Sequence, residues 1–110
     1  MATLGNKILT GASGREYRFK VFPLGTRFRK ISGVYAIADR GRDAMGQPFY
    51  NIVYVGQTED FSQPWGAHPK AGESARRGAN CILVQSDRSE ASREEKAQDL
   101  ITWFQPKCND

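Results

Sequence analysis

With 110 residues, 39% of them hydrophobic and 25% charged, the chain has the make-up of one small globular domain and not of a disordered, repetitive or fibrous protein. No apolar run approaches the roughly 18 residues of a membrane helix, and one histidine with two cysteines, Cys81 and Cys108, is too little for a disulfide framework or a zinc site. The net charge of +4 is uneven: up to Arg42, nine basic residues face only Glu16 and Asp39, which leaves this part at +7 and the remainder at −3.

Ile8 to Phe22 ("ILTGASGREYRFKVF") reads as a β-hairpin that turns at Gly11-Ala12-Ser13-Gly14. In its second strand Tyr17, Phe19 and Val21 alternate with Arg18 and Lys20, the pattern of a half-buried strand with a basic outer face. Ile31–Ala38 is the next candidate strand, Asp39–Pro48 a loop rich in glycine and charge, and Phe49–Gly56 a third strand. Asp60-x-x-Gln63 has capping-box spacing, so a helix should follow, yet Pro64, Gly66 and Pro69 interrupt it. Pro69–Gly78 is polar and expected to be irregular, with room for a helical turn. Ala79–Gln85 is an apolar strand suited to the centre of a sheet, with Cys81 as a small buried hydrophobe. A second capping box, Asp87-x-x-Glu90, opens a helix over Ser89–Phe104 whose Ala97, Leu100, Ile101 and Phe104 form an apolar stripe; Gln105-Pro106 ends it. The expected fold is α+β: a small central antiparallel or mixed sheet flanked by helices. It forms one domain over residues 1–110, with an N-terminal hairpin extension (1–30) on a core (31–110).

The basic first half points to an acidic partner, nucleic acid first and an acidic protein second, and not to a membrane. The start, "MATLGNKILTGASG", has no apolar signal core, so a cytoplasmic setting is expected. The sequence does not fix an oligomeric state.

Gly33-Val34-Tyr35 and Tyr54-Val55-Gly56 place paired glycine and tyrosine motifs on successive strands. "VGQTEDF" follows, then His68, and the chain closes with "DLITWFQPKCN", a terminal helix followed by Pro106-x-x-Asn109. In that order and spacing the chain resembles the GIY-YIG nuclease superfamily over nearly its whole length. The leading hairpin resembles the N-terminal addition of a group of small bacterial members. The resemblance implies a metal-dependent phosphodiesterase that cleaves DNA. In such enzymes a tyrosine helps to activate water, an arginine on the first helix stabilises the phosphate, a histidine assists proton movement, and a glutamate on the later helix holds Mg²⁺ or Mn²⁺. Phosphoryl transfer builds negative charge on the equatorial oxygens, which suits a guanidinium fork and a hard cation.

By position, the resemblance assigns the catalytic roles to Tyr35, Tyr54 and His68, the close-packed motif glycines to Gly33 and Gly56, and a site-bracing side chain to Asn109. The arginine position holds Pro64 and the glutamate position holds Ala97. Glu94, one turn earlier, is the available substitute metal ligand, displaced by about 4.5 Å along the helix. An arginine of this kind contributes about 10³–10⁵ in rate, so its loss together with the glutamate implies a degraded nuclease centre. The expected function is nucleic-acid binding, DNA ahead of RNA, without efficient cleavage and without a cofactor. Phosphate contacts would come from Arg18, Lys20, Arg27, Arg29, Lys30, Arg40, Arg42, Arg76 and Arg77. Two alternatives stand beside it. One is an active endonuclease with Mg²⁺ or Mn²⁺ on Glu94 and Arg76 or Arg77 on the phosphate. The other is a protein-interaction module built on an exposed Trp65, a residue that reads first as plain core packed under the helix.

Overall fold

The computed structural model describes residues 3–109. Five strands, β1 (Gly5–Thr10), β2 (Glu16–Pro23), β3 (Gly33–Arg42), β4 (Pro48–Thr58) and β5 (Cys81–Ser86), form one sheet in the order β1-β2-β5-β3-β4. Every pairing is antiparallel. Two helices, α1 (Ala71–Arg76) and α2 (Glu90–Phe104), and 3-10 turns at Trp65–Ala67 and Lys107–Asn109 complete an α+β fold. None of the described helices is long and apolar enough to cross a membrane.

The alternation in β2 is realised as expected: Tyr17, Phe19 and Val21 are buried, while Arg18 and Lys20 are exposed. β5 is buried from Cys81 to Val84 because it pairs on both edges and is covered on both faces. The N-terminal hairpin therefore does not stand apart. Its second strand pairs directly with β5 and continues the sheet.

The two faces carry separate cores. On one, Leu9, Tyr17, Phe19, Val21, Val34, Ala36, Ala38 and Leu83 meet Ala97 and Leu100 of α2. On the other, Tyr35, Ile37, Val53, Ile82 and Val84 meet Phe61 and Cys108, with Phe22, Leu24, Phe28, Tyr54 and Trp65 packed around them. A bulge lets β4 serve both. Tyr54 lies opposite Ile37 but Ile52 lies opposite Ala38, so Val53 is the extra residue, and Val53 and Tyr54 join the same face.

At the tip of the N-terminal hairpin, the Asp99 carboxylate on α2 accepts bonds from the Ser13 amide (2.9 Å), the Ser13 hydroxyl (2.7 Å) and the Tyr17 hydroxyl (2.6 Å). A side chain at Gly11 would collide with that carboxylate. The hairpin is thereby fastened to the middle of the helix.

Three local expectations are corrected. Half of the segment Asp39–Pro48 is strand, and only the turn between Arg42 and Pro48 is loop. There Asp43 Oδ1 accepts the amides of Met45 (2.9 Å) and Gln47 (3.0 Å), and Gly46 takes a positive φ of 79°. Glycine and charge imitated a loop, but cross-strand pairing prevails, and the Phe49 ring lies over Gly41 where a side chain would stand. No helix opens at Asp60. Its Oδ1 accepts the amide (2.8 Å) and hydroxyl (2.6 Å) of Ser62, a local turn that competes with helix, and Pro64 then leads into the 3-10 turn. The cap of α2 is Ser89, whose hydroxyl accepts the Ser92 amide at 3.1 Å; Asp87 stands outside it and receives the Ser89 amide at 3.0 Å. The helix itself runs as expected and ends at Gln105 in the left-handed conformation before Pro106.

Candidate functional site

Tyr35 on β3 and Tyr54 on β4 lie on the sheet face opposite α2, with ring centroids 6.0 Å apart. Gly56 is the cross-strand partner of Tyr35. A Cβ at Gly56 would sit 2.8 Å from the Tyr35 Oη and 2.9 Å from Tyr54 Cε2, so both rings occupy space that only glycine leaves open. Gly33 is similar: a Cβ there would collide with the Gln85 carbonyl oxygen and stand 2.7 Å from the Phe61 ring.

The 3-10 turn brings Trp65 and His68 onto the tyrosines. Trp65 stacks on His68 with centroids 4.5 Å apart and planes 22° from parallel. Tyr54 meets His68 edge-on at 5.1 Å, and Trp65 lies 6.0 Å from Tyr35 and 5.7 Å from Tyr54. Trp65 is thus a partly buried member of this cluster and not an exposed platform, and it lies on the sheet face away from α2. The cluster closes one end of a cleft of about 400 Å³. The β2–β3 connection, with Arg27 and Phe28, forms one wall; Phe61 and Pro64–His68 form the other; Tyr35 and Ile82 lie at its base.

Proton chemistry in the cleft is restricted. His68 Nδ1 accepts the Lys70 amide at 3.0 Å, which leaves the ring proton on Nε2. Burial first, and the Lys70 charge second, push the His68 pKa down, so the ring is neutral at pH 7. Burial first, and then the adjoining Tyr54 hydroxyl, push the Tyr35 phenol well up, so it keeps its proton. At neutral pH both groups present protons, and neither is placed to take one from water.

Pro64 precedes the 3-10 turn and lines the cleft without a charge. Ala97 is buried among Val34, Ala36 and Leu100, and Val34 and Tyr35 point to opposite faces of β3. The sheet therefore stands between α2 and the tyrosines. Glu94 is exposed on α2 and does not share the cleft, because the stripe that sets the helix's rotation turns to the other core. Among the described residues the only carboxylate lining the cleft is Asp60, with Oδ1 already engaged by Ser62. Among the described residues no three His, Cys, Asp or Glu side chains come together as a cation would need. This donor set does not fit a bound Mg²⁺ or Mn²⁺.

Asn109 braces the site from the sheet edge. Its Oδ1 accepts the Val55 amide and its Nδ2 donates to the Val55 carbonyl, both at 2.8 Å. The side chain thus completes edge strand β4 between Tyr54 and Gly56.

The basic residues divide. Arg18 and Lys20 are exposed on the sheet face that carries the cleft, because Tyr17, Phe19 and Val21 occupy the other face. Arg27 lines the cleft, and Arg29 and Lys30 are exposed on the same connection. The Lys30 charge contributes, after the Ser62 and Gln63 bonds, to holding the Asp60 carboxyl below its usual range. Arg40 instead donates to the Tyr50 hydroxyl at 3.1 Å beside the α2 core, and Arg42 donates to the Gly46 carbonyl at 2.7 Å. Arg76 and Arg77 are exposed at the end of α1 away from the cleft lining, and Arg77 lies 3.5 Å from Glu73.

Two contributors escape sequence reasoning. Phe61, the lone large apolar residue between Val55 and Trp65, packs against Phe28 and Tyr35, and its isolation in a polar stretch is the signal for it. Arg93 is 3% exposed and donates to Gln57 Oε1 (2.9 Å) and the Asp87 carbonyl (3.2 Å), tying α2 to β4 just past Gly56. Its position four residues before Ala97 falls on the buried stripe, but its charge argued against burial. No protein-family model, curated protein or solved structure matches the chain.

Proposed function

We propose that the chain is a nucleic-acid-binding protein of GIY-YIG-like layout whose phosphodiester-cleaving centre is degraded. One observation carries the reading. Tyr35, Tyr54 and His68 meet beside a cleft lined by Arg27, with exposed cations of β2 on the same sheet face and others on the β2–β3 connection, and among the described residues Asp60 is its only carboxylate. Lysine and arginine side chains on one face suit a phosphate backbone, and pairing of that kind releases counterions and carries little sequence preference. DNA stands ahead of RNA because the resemblance leads there. Efficient cleavage requires a placed cation or guanidinium and a proton acceptor, and His68 and Tyr35 are both held as proton donors.

Comparing Arg18→Ser/Lys20→Ser with Arg42→Ser tests this reading. The double variant is expected to weaken binding of a labelled oligonucleotide about tenfold and to lower the salt slope by about two, one for each cation removed from the phosphate backbone. Arg42→Ser should change little. Equal affinity in both variants and the parent would overturn the assignment of this face.

A further inference from the structure

We infer that the cleft receives one unpaired nucleotide, with its base among the aromatic walls and its phosphate at Arg27. The ligand is then single-stranded or locally opened nucleic acid and not intact duplex. The inference rests on the nucleic-acid reading above and goes beyond it by naming what enters the cleft.

The lining is wrong for a phosphate alone. Its walls and base are Phe28, Phe61, Trp65, Tyr35 and Ile82, and a phosphate pushed among them would lose its water for one guanidinium. A nucleobase has the opposite requirements. Its π-face gains from aromatic neighbours whatever its identity, while its edge needs a few polar groups. Thr58, Asp60, Ser62 and Gln63 supply such groups on one wall. The aromatic walls are already braced: Phe28 meets Phe22 edge-on at 5.1 Å and Phe61 at 5.8 Å, so binding need not order them.

Size and charge agree with this occupant. A volume of about 400 Å³ lies near the lower end of small-ligand pockets, roughly 300–1,000 Å³, which suits a single nucleotide. Charge complements it outside: Arg27 lines the cleft, Arg29 and Lys30 follow on the same connection, and Arg18 and Lys20 lie on the same sheet face. A strand tracking those cations could leave one base in the cleft without the cost of unpairing it.

The test compares three labelled ligands of about 12 nucleotides on the wild-type protein: a single strand, the same strand with abasic sites, and the matching duplex. The intact single strand is expected to bind roughly 5- to 150-fold more tightly than the abasic one, the range for one stacked base, with an unchanged salt slope. Phe28→Leu should remove most of that difference and leave abasic binding alone. In a Trp103→Phe background, which leaves Trp65 as the only tryptophan and alters a residue 62% exposed on α2, the intact strand should change tryptophan emission and the abasic strand should not. Equal binding of intact and abasic strands, or tighter binding of duplex, overturns the cleft assignment while the nucleic-acid reading stands. Failure of all three ligands to bind overturns both.

Discussion

A methyl group at Gly56 would press on the Tyr35 hydroxyl and the Tyr54 ring together, at 2.8 and 2.9 Å. Gly56→Ala should therefore cost about 1–3 kcal/mol in urea unfolding, the range for overpacking a filled site. Gly66→Ala is the control, because nothing lies within 4 Å of its Cβ position, and it should be neutral or slightly stabilising. A neutral Gly56→Ala would mean that the tyrosine pair is not held as described. Asp87 gives a pH signature. Bonds from the Ser92 hydroxyl first and Lys96 next hold its carboxyl at about 2, below the ordinary 3.8. The folded-state value is the lower one, so its stabilisation is complete above the unfolded pKa and is lost as pH falls through 2. Between these values wild type should lose on the order of 1 kcal/mol more than Asp87→Asn in denaturant titrations; parallel curves would contradict the assigned bonds.

Among the elements, the C-terminal turn and edge strand β4 depend on one side chain. Asn109→Ala removes both bonds to Val55 and should cost about 1–2 kcal/mol, with faster hydrogen exchange at the Val55 amide. Unchanged exchange there would show that the brace is not needed. Elements with local periodicity were legible in the sequence: the alternation of Tyr17, Phe19 and Val21 fixes β2, and Ala97 and Leu100 fix the buried side of α2. The β3 side of the β3–β4 arm, Asp39–Arg42, was not, because its composition is that of a turn although its ladder partners on β4 follow closely in sequence. The paired tyrosines and glycines could be read from spacing. Which face α2 would cover could not, since that depends on how the chain crosses back after β5. Ala97→Glu would accordingly bury a carboxylate beside Leu100 and deliver no ligand to Tyr35.

For the molecule as a whole, the two faces of the sheet divide the work. One is closed by α2 and braced by Arg93 and Asp99; the other holds the aromatic cleft, with Arg18 and Lys20 exposed on the same face. On the proposed reading, that division makes a binding surface with little chemistry in it. The most direct test is a titration of labelled DNA and RNA with the protein from about 50 to 200 mM salt. The same samples are scored for strand cleavage in Mg²⁺, Mn²⁺ or EDTA. The expected result is binding whose log–log salt slope is about −3 to −5, as for a handful of neutralised phosphates, with every strand intact. Absence of binding at low salt, or cleavage that appears with metal and vanishes with EDTA, would contradict it.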